Sequence, residues 1–157
     1  ALSSAASDVY KRQIPVEAIT VMVQKEAAQR LCAKVGTRQA GAVTAAVQFY
    51  GKAELLFEVS RGSFMPSPNV DSAVIRIKPD KYYRSMVDDK DLFFKVVRGA
   101  FSQRRKTMVN SLSSVLGVPK SLLSECLEFC GIEKNIRAEQ LSMEELILFA
   151  NRLKNVI

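Results

Sequence analysis

The apolar positions of this chain fall into two regimes. Residues 18–23 (AITVMV) form a short β-rich apolar run, the pattern of a strand buried on both faces. Residues 24–34 carry good helix formers, with Ala27, Ala28, Leu31 and Cys32 on one side, and Val35-Gly36-Thr37 opens a loop after them. Residues 41–50 are again helical, with Val43, Ala46, Val47 and Tyr50 near one stripe and Gly51 as the stop. Residues 52–59 read as a strand. Residues 61–68 are a loop that Pro66 and Pro68 hold extended and stiff. From Val70 to Ile77 the side chains alternate as in a strand, and Pro79 ends it.

Near Lys81 the pattern changes, and from Asp89 onward every signal is helical. One long helix is expected over about residues 91–116, and a second over about 121–130, ended by Gly131. A third opens at a capping box, Ser142 with Glu145, and runs to about Asn155. The expected fold is therefore α/β followed by all-α, with the change near residue 80. Three strands are few for an α/β sheet, and the first expects parallel neighbours, so the chain reads as the back half of something larger. Residues 1–13 (ALSSAASDVYKRQ) stand apart, rich in small residues and without core periodicity. SSAASDVYKRQ resembles adapter-derived translation, so the segment is set aside as a non-native or disordered tail.

Composition narrows the chemistry. The chain has 157 residues, 48% hydrophobic and 25% charged, in the ordinary soluble range. It has no apolar run long enough to span a bilayer and no secretory signal pattern. It contains no histidine, which excludes Ser-His triads, Cys-His pairs and zincin-type sites. Three irregularly spaced cysteines argue against a disulfide framework, and Cys126 and Cys130 lack partners for a tetrahedral zinc site, so no metal is expected. The net charge of +7, from 23 Lys/Arg against 16 Asp/Glu, suits a polyanionic partner and equally a solvated surface.

Three segments stand out as candidate chemistry, of which residues 21–30 are weak alone, since Gln24, Lys25 and Glu26 suit a helix start as well as they bind anything. In RGSFMPSPNVDSAV the stiff double-proline loop presents Phe64 just before a strand, either as a core aromatic or as a ring that stacks on a nucleobase. In FSQRRKTMVNSL, on the long helix, Phe93, Val97, Ala100, Phe101, Met108 and Leu112 form one stripe, with Lys95, Ser102 and Lys106 opposite. Arg98 and Arg105 flank the stripe. Lys95, Arg98, Arg105 and Lys106 are candidate phosphate contacts or a solvated face. Arg104 falls near the middle of the stripe, so it should pair with a carboxylate, Asp71 or Glu139.

Five segments in order make a closer comparison possible: VMVQKE, GAVTAAVQFY, FMPSPNVDSAV, FSQRRKTMVNSL, and the closing Gly131-Ile132 with Arg137-Ala138-Glu139 and Leu141-Ser142. Together they closely resemble the C-terminal half of the small-subunit ribosomal RNA adenine dimethyltransferase family, over residues 14–156. The resemblance implies a Rossmann-like methyltransferase domain, whose C-terminal half is residues 14–80, and a small helical domain, residues 81–157. It implies S-adenosylmethionine as methyl donor and dimethylation of two adjacent adenosines of small-subunit rRNA. Phe64 matches the aromatic in the loop that helps hold the target adenine, and Pro66, Pro68, Val70, Asp71 and Ser72 match the same motif. Ser67 and Asn69 depart from the commoner triple-proline-lysine form, which loses a cation.

The family's Gly-rich turn, its acidic ribose ligand and its Asn-Pro-Tyr amine motif are absent from this sequence. The chain thus looks truncated at its N-terminus. No catalytic residue is expected within it, no cofactor is expected to bind it, and it is expected to be inactive alone. The implied partner is small-subunit rRNA in an immature 30S particle, met in the cytoplasm by a monomer away from membranes. The competing readings are a non-enzymatic RNA-binding or ribosome-associated module, and a transcription factor of the mitochondrial type.

Overall fold

The register of the sheet follows from which side of each strand is apolar. The structure is a computed structural model that describes residues 16–157, so the tail expected at 1–13 lies outside the described residues. Strand β3 (Ser72–Pro79) lies between β1 (Ile19–Gln24) and β2 (Gly51–Val59) and runs antiparallel to both. Ala73 and Ile75 point to one side and are fully buried against Ala28 of helix α1 (Lys25–Cys32), with Val23, Leu31, Cys32 and Ile77 packed around them. Val21 and Leu55 stand opposite Ile75 in register and share that face. The other face carries a transverse row, Met22–Val74–Phe57, in which Met22 is 52% and Phe57 55% exposed.

One strand expectation needs correction. Strand β1 is not buried on both faces: five of its six residues are exposed. The parallel neighbours that its apolar run calls for are not found among the described residues, as its sequence leads one to expect: the described sheet is wholly antiparallel and β1 is its edge. The apolar run 18–23 reads as doubly covered, but among the described residues α1 covers one side only.

Helix α2 (Ala42–Tyr50) also corrects the stripe read from its sequence. Its buried residues are Thr44, Ala45 and Phe49, whereas Val43 is 45% exposed. The rotation follows from its position between the sheet and the helices that come later. Phe49 stacks on Phe93 at 5.3 Å between centroids and meets Phe94 edge-on at 4.9 Å.

A short 3₁₀ turn (Tyr83–Met86) leads from the sheet to four helices, α3 (Lys90–Phe101), α4 (Met108–Leu116), α5 (Lys120–Phe129) and α6 (Met143–Lys154). Asp89 caps α3 by accepting from the Leu92 amide at 2.9 Å. Ser142 and Glu145 cap α6 reciprocally, at 3.1 and 2.7 Å. Gly117, at φ 67°, takes the left-handed conformation that ends α4.

The long helix expected over 91–116 is two helices. Ser102 turns its hydroxyl back to the Gly99 carbonyl at 2.7 Å, the Lys106 amide closes a turn on Gln103, and Thr107 caps α4. The turn 102–107 lets three successive cations fan out, which a continuous helix would not. Arg104 therefore lies on no helical stripe. Phe93, Val97, Ala100, Met108 and Leu112 are nonetheless all buried, because α3 and α4 pack on one another. The main core gathers Phe93, Leu112, Leu123, Leu127, Leu146, Phe149 and Leu153 and extends through α2 to Phe49, Ala45 and Val35, across residue 80.

Candidate nucleic-acid interface

The turn that breaks the long helix meets three other segments around one cleft. These are α1 from Glu26 to Arg30, the loop 37–41 and a 3₁₀ turn (Ala138–Gln140). The cleft has a volume of about 630 Å³ and is lined by Arg30, Arg38, Arg104, Arg105 and Arg137, with Gln29, Gln39, Glu26 and Glu139. A second hollow of about 380 Å³ shares Arg30, Gln39 and Arg104 with it and adds Arg98, Phe101 and Ser102.

Backbone anchors set this geometry. The buried Thr44 hydroxyl donates to the Arg30 carbonyl at 2.8 Å and accepts from the Gly41 amide at 3.0 Å, tying the end of α1 to the start of α2. The Met108 amide donates to the Ile136 carbonyl at 2.8 Å, which fixes the cationic turn beside Arg137. The Arg104 guanidinium lies 3.1 Å from the Glu139 carboxylate and also donates to the Arg38 carbonyl. Glu26 pairs with Arg30 at 2.8 Å. Five guanidinium groups against two carboxylates leave the cleft positive. Planar guanidinium forks suit phosphate oxygens, which they bind in pairs of hydrogen bonds.

The four cations singled out from sequence do not meet in one place. Arg105 lines the cleft and Arg98 the second hollow. Lys106 lines a separate groove with Gln103, Asn110 and Lys120. Lys95 is exposed on α3 and lines none of the three. The sequence reading missed Arg30, Arg38 and Arg137. Arg30 lies one helical turn beyond the VMVQKE segment and Arg137 opens the Arg-Ala-Glu segment, so both lay near residues already noted, read as helix and boundary signals rather than as cations.

The Phe64 loop is tied to the start of α1. The Arg61 amide donates to Asp71 Oδ1 at 2.9 Å, Arg61 Nη1 to the Asn69 carbonyl at 3.2 Å, and the Ser67 hydroxyl to the Arg61 carbonyl at 2.9 Å. Thus Asp71, one of the two carboxylates expected for Arg104, serves the loop instead. Phe64 is half-buried, and Pro66 and Pro68 are exposed. The Lys25 amide, at the start of α1, donates to the Asp71 carbonyl at 3.0 Å. Lys25 Nζ meets Glu58 at 2.7 Å, a hydrogen bond that raises the ammonium above the usual lysine range.

No group of three or more Cys, Asp or Glu suited to a metal occurs among the described residues. Cys32, Cys126 and Cys130 are free thiols that burial pushes up, away from thiolate chemistry. Among the described residues no helix is long and apolar enough to cross a membrane.

The model of the ribosomal RNA adenine dimethylase family matches residues 6–155. The ribosomal RNA small subunit methyltransferase A of Geobacillus thermodenitrificans is 43% identical over 144 residues, which are 90% of this chain and 49% of that protein. Its counterpart from Bacillus mycoides is 43% identical over 148 residues, 92% of this chain and 51% of the relative. The chain thus spans about half the length of the curated relatives it matches. A crystal structure of a dimethyladenosine transferase from Plasmodium falciparum is similar with a TM-score of 0.74 at 24% identity, covering 94% of this chain and 61% of that one. The 23S rRNA methyltransferase ErmE is similar at a TM-score of 0.55 and 20% identity, over 96% of this chain and 61% of its own. These two likenesses bear on the fold alone.

Proposed function

Because the chain belongs to the ribosomal RNA adenine dimethylase family, we propose that it forms the RNA-gripping and base-holding part of an S-adenosylmethionine-dependent rRNA adenine dimethyltransferase. The substrate is small-subunit rRNA in an immature 30S particle, met in the cytoplasm by a monomeric enzyme. One observation carries the reading: a single helix, α1, lines the arginine cleft from Glu26 to Arg30 and is tied at its start, through Asp71, to the Phe64 loop. Its eight residues span roughly 12 Å, a distance that a few nucleotides bridge.

In this reading Arg30, Arg38, Arg105 and Arg137 hold phosphates, with Arg98 extending the contact into the second hollow. Arg104 is already engaged by Glu139 and the Arg38 carbonyl and keeps the cleft walls together. Lys106 and Lys95 contribute weaker, solvent-screened attraction. The face of Phe64 stacks on the extruded adenine, and the loop holds the ring in place through Pro66, Pro68 and the Arg61 hydrogen bonds.

Bound S-adenosylmethionine supplies the methyl group in such a reaction. Its sulfonium is cationic, and the five arginines of the cleft do not suit it. The methyl-transfer step is therefore not assigned to this chain's residues, and the chain by itself is expected to be inactive.

The test is the salt dependence of binding to a fragment of small-subunit rRNA. Replacing Arg30, Arg38, Arg105 and Arg137 together by Gln should lower the slope of log K against log salt by about 3. An unchanged slope returns these residues to an ordinary solvated surface.

A further inference from the structure

A second surface lies where the sheet hands over to the helices, and none of its residues lines the arginine cleft. In the register of β2 with β3, Lys52 stands directly opposite Lys78. Two like charges in that relation destabilise a sheet. Lys81 follows two residues after β3 ends. Lys52, Lys78 and Lys81 are all exposed. The nearest carboxylate, Asp80, is occupied: it accepts from the Tyr82 amide at 2.9 Å and pairs with Lys52 at 3.3 Å. Those contacts hold its carboxyl below the usual carboxylate range, the amide foremost.

Among these lysines stands Tyr82, 59% exposed. A large ring left in water is ordinary, but this one is also held still. Its backbone is fixed by the Asp80 contact, by the Ser85 hydroxyl donating to its carbonyl at 2.7 Å, and by the Ser85 amide closing on Lys81 at 3.0 Å. Its neighbour Tyr83 anchors the segment on α6, with its hydroxyl donating to Glu144 at 2.9 Å. The two rings meet edge to face at 5.0 Å, so Tyr82 is buttressed by its neighbour while most of it stays exposed.

We propose that this surface binds single-stranded RNA, with a base stacked on Tyr82 and the neighbouring phosphates on Lys52, Lys78 and Lys81. A fixed exposed ring saves the ordering cost that a mobile side chain incurs on binding. Cations on both sides of an aromatic platform are the arrangement that tracks a single strand, since every base has a face to stack and every nucleotide a charge. A purely electrostatic surface would need no ring, and a protein-docking surface would not carry three exposed lysines at its centre. The surface lies at the end of β3 opposite the Phe64 loop, roughly 26 Å away along its eight residues. It also lies at the end of α2 opposite the cleft, roughly 13 Å away. It thus extends the RNA contact of the proposed function to a segment that neither site reaches.

The experiment uses the whole chain and a short oligouridine, which has no secondary structure, followed by anisotropy and by tyrosine fluorescence. Tyr82→Ala should weaken binding about 10-fold, while Tyr82→Phe should stay within about twofold of the parent. Lys52, Lys78 and Lys81 changed together to Gln should lower the salt slope by about 2. The effect of Tyr82→Ala should persist in the background of the four cleft substitutions, which separates failure of this site from failure of the cleft. Tyr82 is exposed, so the variant should melt with the parent. Parental affinity in Tyr82→Ala overturns the proposal, as does equal Tyr82-independent binding of inorganic polyphosphate or of vesicles rich in phosphatidylserine.

Discussion

Arg104 and Glu139 meet 3.1 Å apart across the arginine cleft, and the same guanidinium donates to the carbonyl of Arg38, so one side chain joins three walls of the site. The pair is partly exposed, at 49% and 24%, which limits its contribution to about 0–1 kcal/mol. A double-mutant cycle of Arg104→Ala and Glu139→Ala, read by thermal unfolding, should return a coupling in that range. RNA binding should separate the two residues. Arg104→Gln should weaken it, and Glu139→Gln, which removes a carboxylate from the cleft, should tighten it by up to about fivefold. Parallel losses in both variants would mean that the pair serves only to hold the cleft together.

Phe64 can be tested where methylation is measurable, in a chimera joining residues 14–157 to the N-terminal half of the Geobacillus thermodenitrificans relative. Phe64→Ala should cost roughly 10–100-fold in kcat/KM for RNA and leave S-adenosylmethionine binding little changed. Phe64→Tyr should be nearly silent, since the ring face is kept. If Phe64→Ala instead lowers the melting temperature and spares the activity of the folded fraction, the ring is a core aromatic.

Much of this architecture was legible because it rests on local rules. The alternation in 70–77 announces β3, though not which of its sides is buried, and Ser142 with Glu145 announces the start of α6 to the residue. The break at 102–107 was not legible from periodicity, because the apolar stripe resumes in α4 as though nothing intervened. Thr107 with Asn110 was the available signal, a cap hidden inside an apparently continuous pattern. The phase argument that placed Arg104 among apolar residues thus rested on a helix that does not exist there. The contact with Glu139 arises instead because the turn leaves the side chain free to reach across the cleft. The convergence of Arg30 and Arg137 is a property of the tertiary fold, and neither has a local pattern that announces the other.

Gly51 shows how closely two backbones pass at the start of β2. A Cβ there would lie 2.3 Å from the Lys78 carbonyl oxygen and 3.0 Å from its carbon. Nothing flexible is available to move, so Gly51→Ala should destabilise the protein by about 2–4 kcal/mol, seen as a lower urea midpoint. The neighbouring pair Lys52 and Lys78 would be displaced with it. A midpoint equal to the parent's would show that the strand end yields freely.

Tyr83 makes a prediction in pH. Burial, with the hydrogen bond to Glu144 behind it, pushes its phenol up to about 12. The folded protein therefore holds this proton more tightly than the unfolded chain, whose tyrosine titrates near the usual value of about 10. The resulting stability is fully present below about pH 10 and is lost as pH rises through about 12. Tyr83→Phe should flatten this part of the urea-midpoint profile and lower the midpoint at neutral pH. An unchanged slope between the two variants over that window would show that Tyr83 is not the group responsible.

The two apolar clusters are very unequal. The helical one runs from Val35 to Leu153, while the one beneath the sheet has, among the described residues, only Ala28, Ala73 and Ile75 fully enclosed. Amide exchange should therefore be graded, with the strands opening before α2 and the four later helices, which stay protected. The cleft takes Arg30 from α1, which packs on the weaker cluster, and Arg104 and Arg137 from segments that pack on the stronger one. Mild heating should therefore abolish RNA retention well before the helical circular dichroism falls, so that the affinity of this protein serves as a thermometer of its sheet.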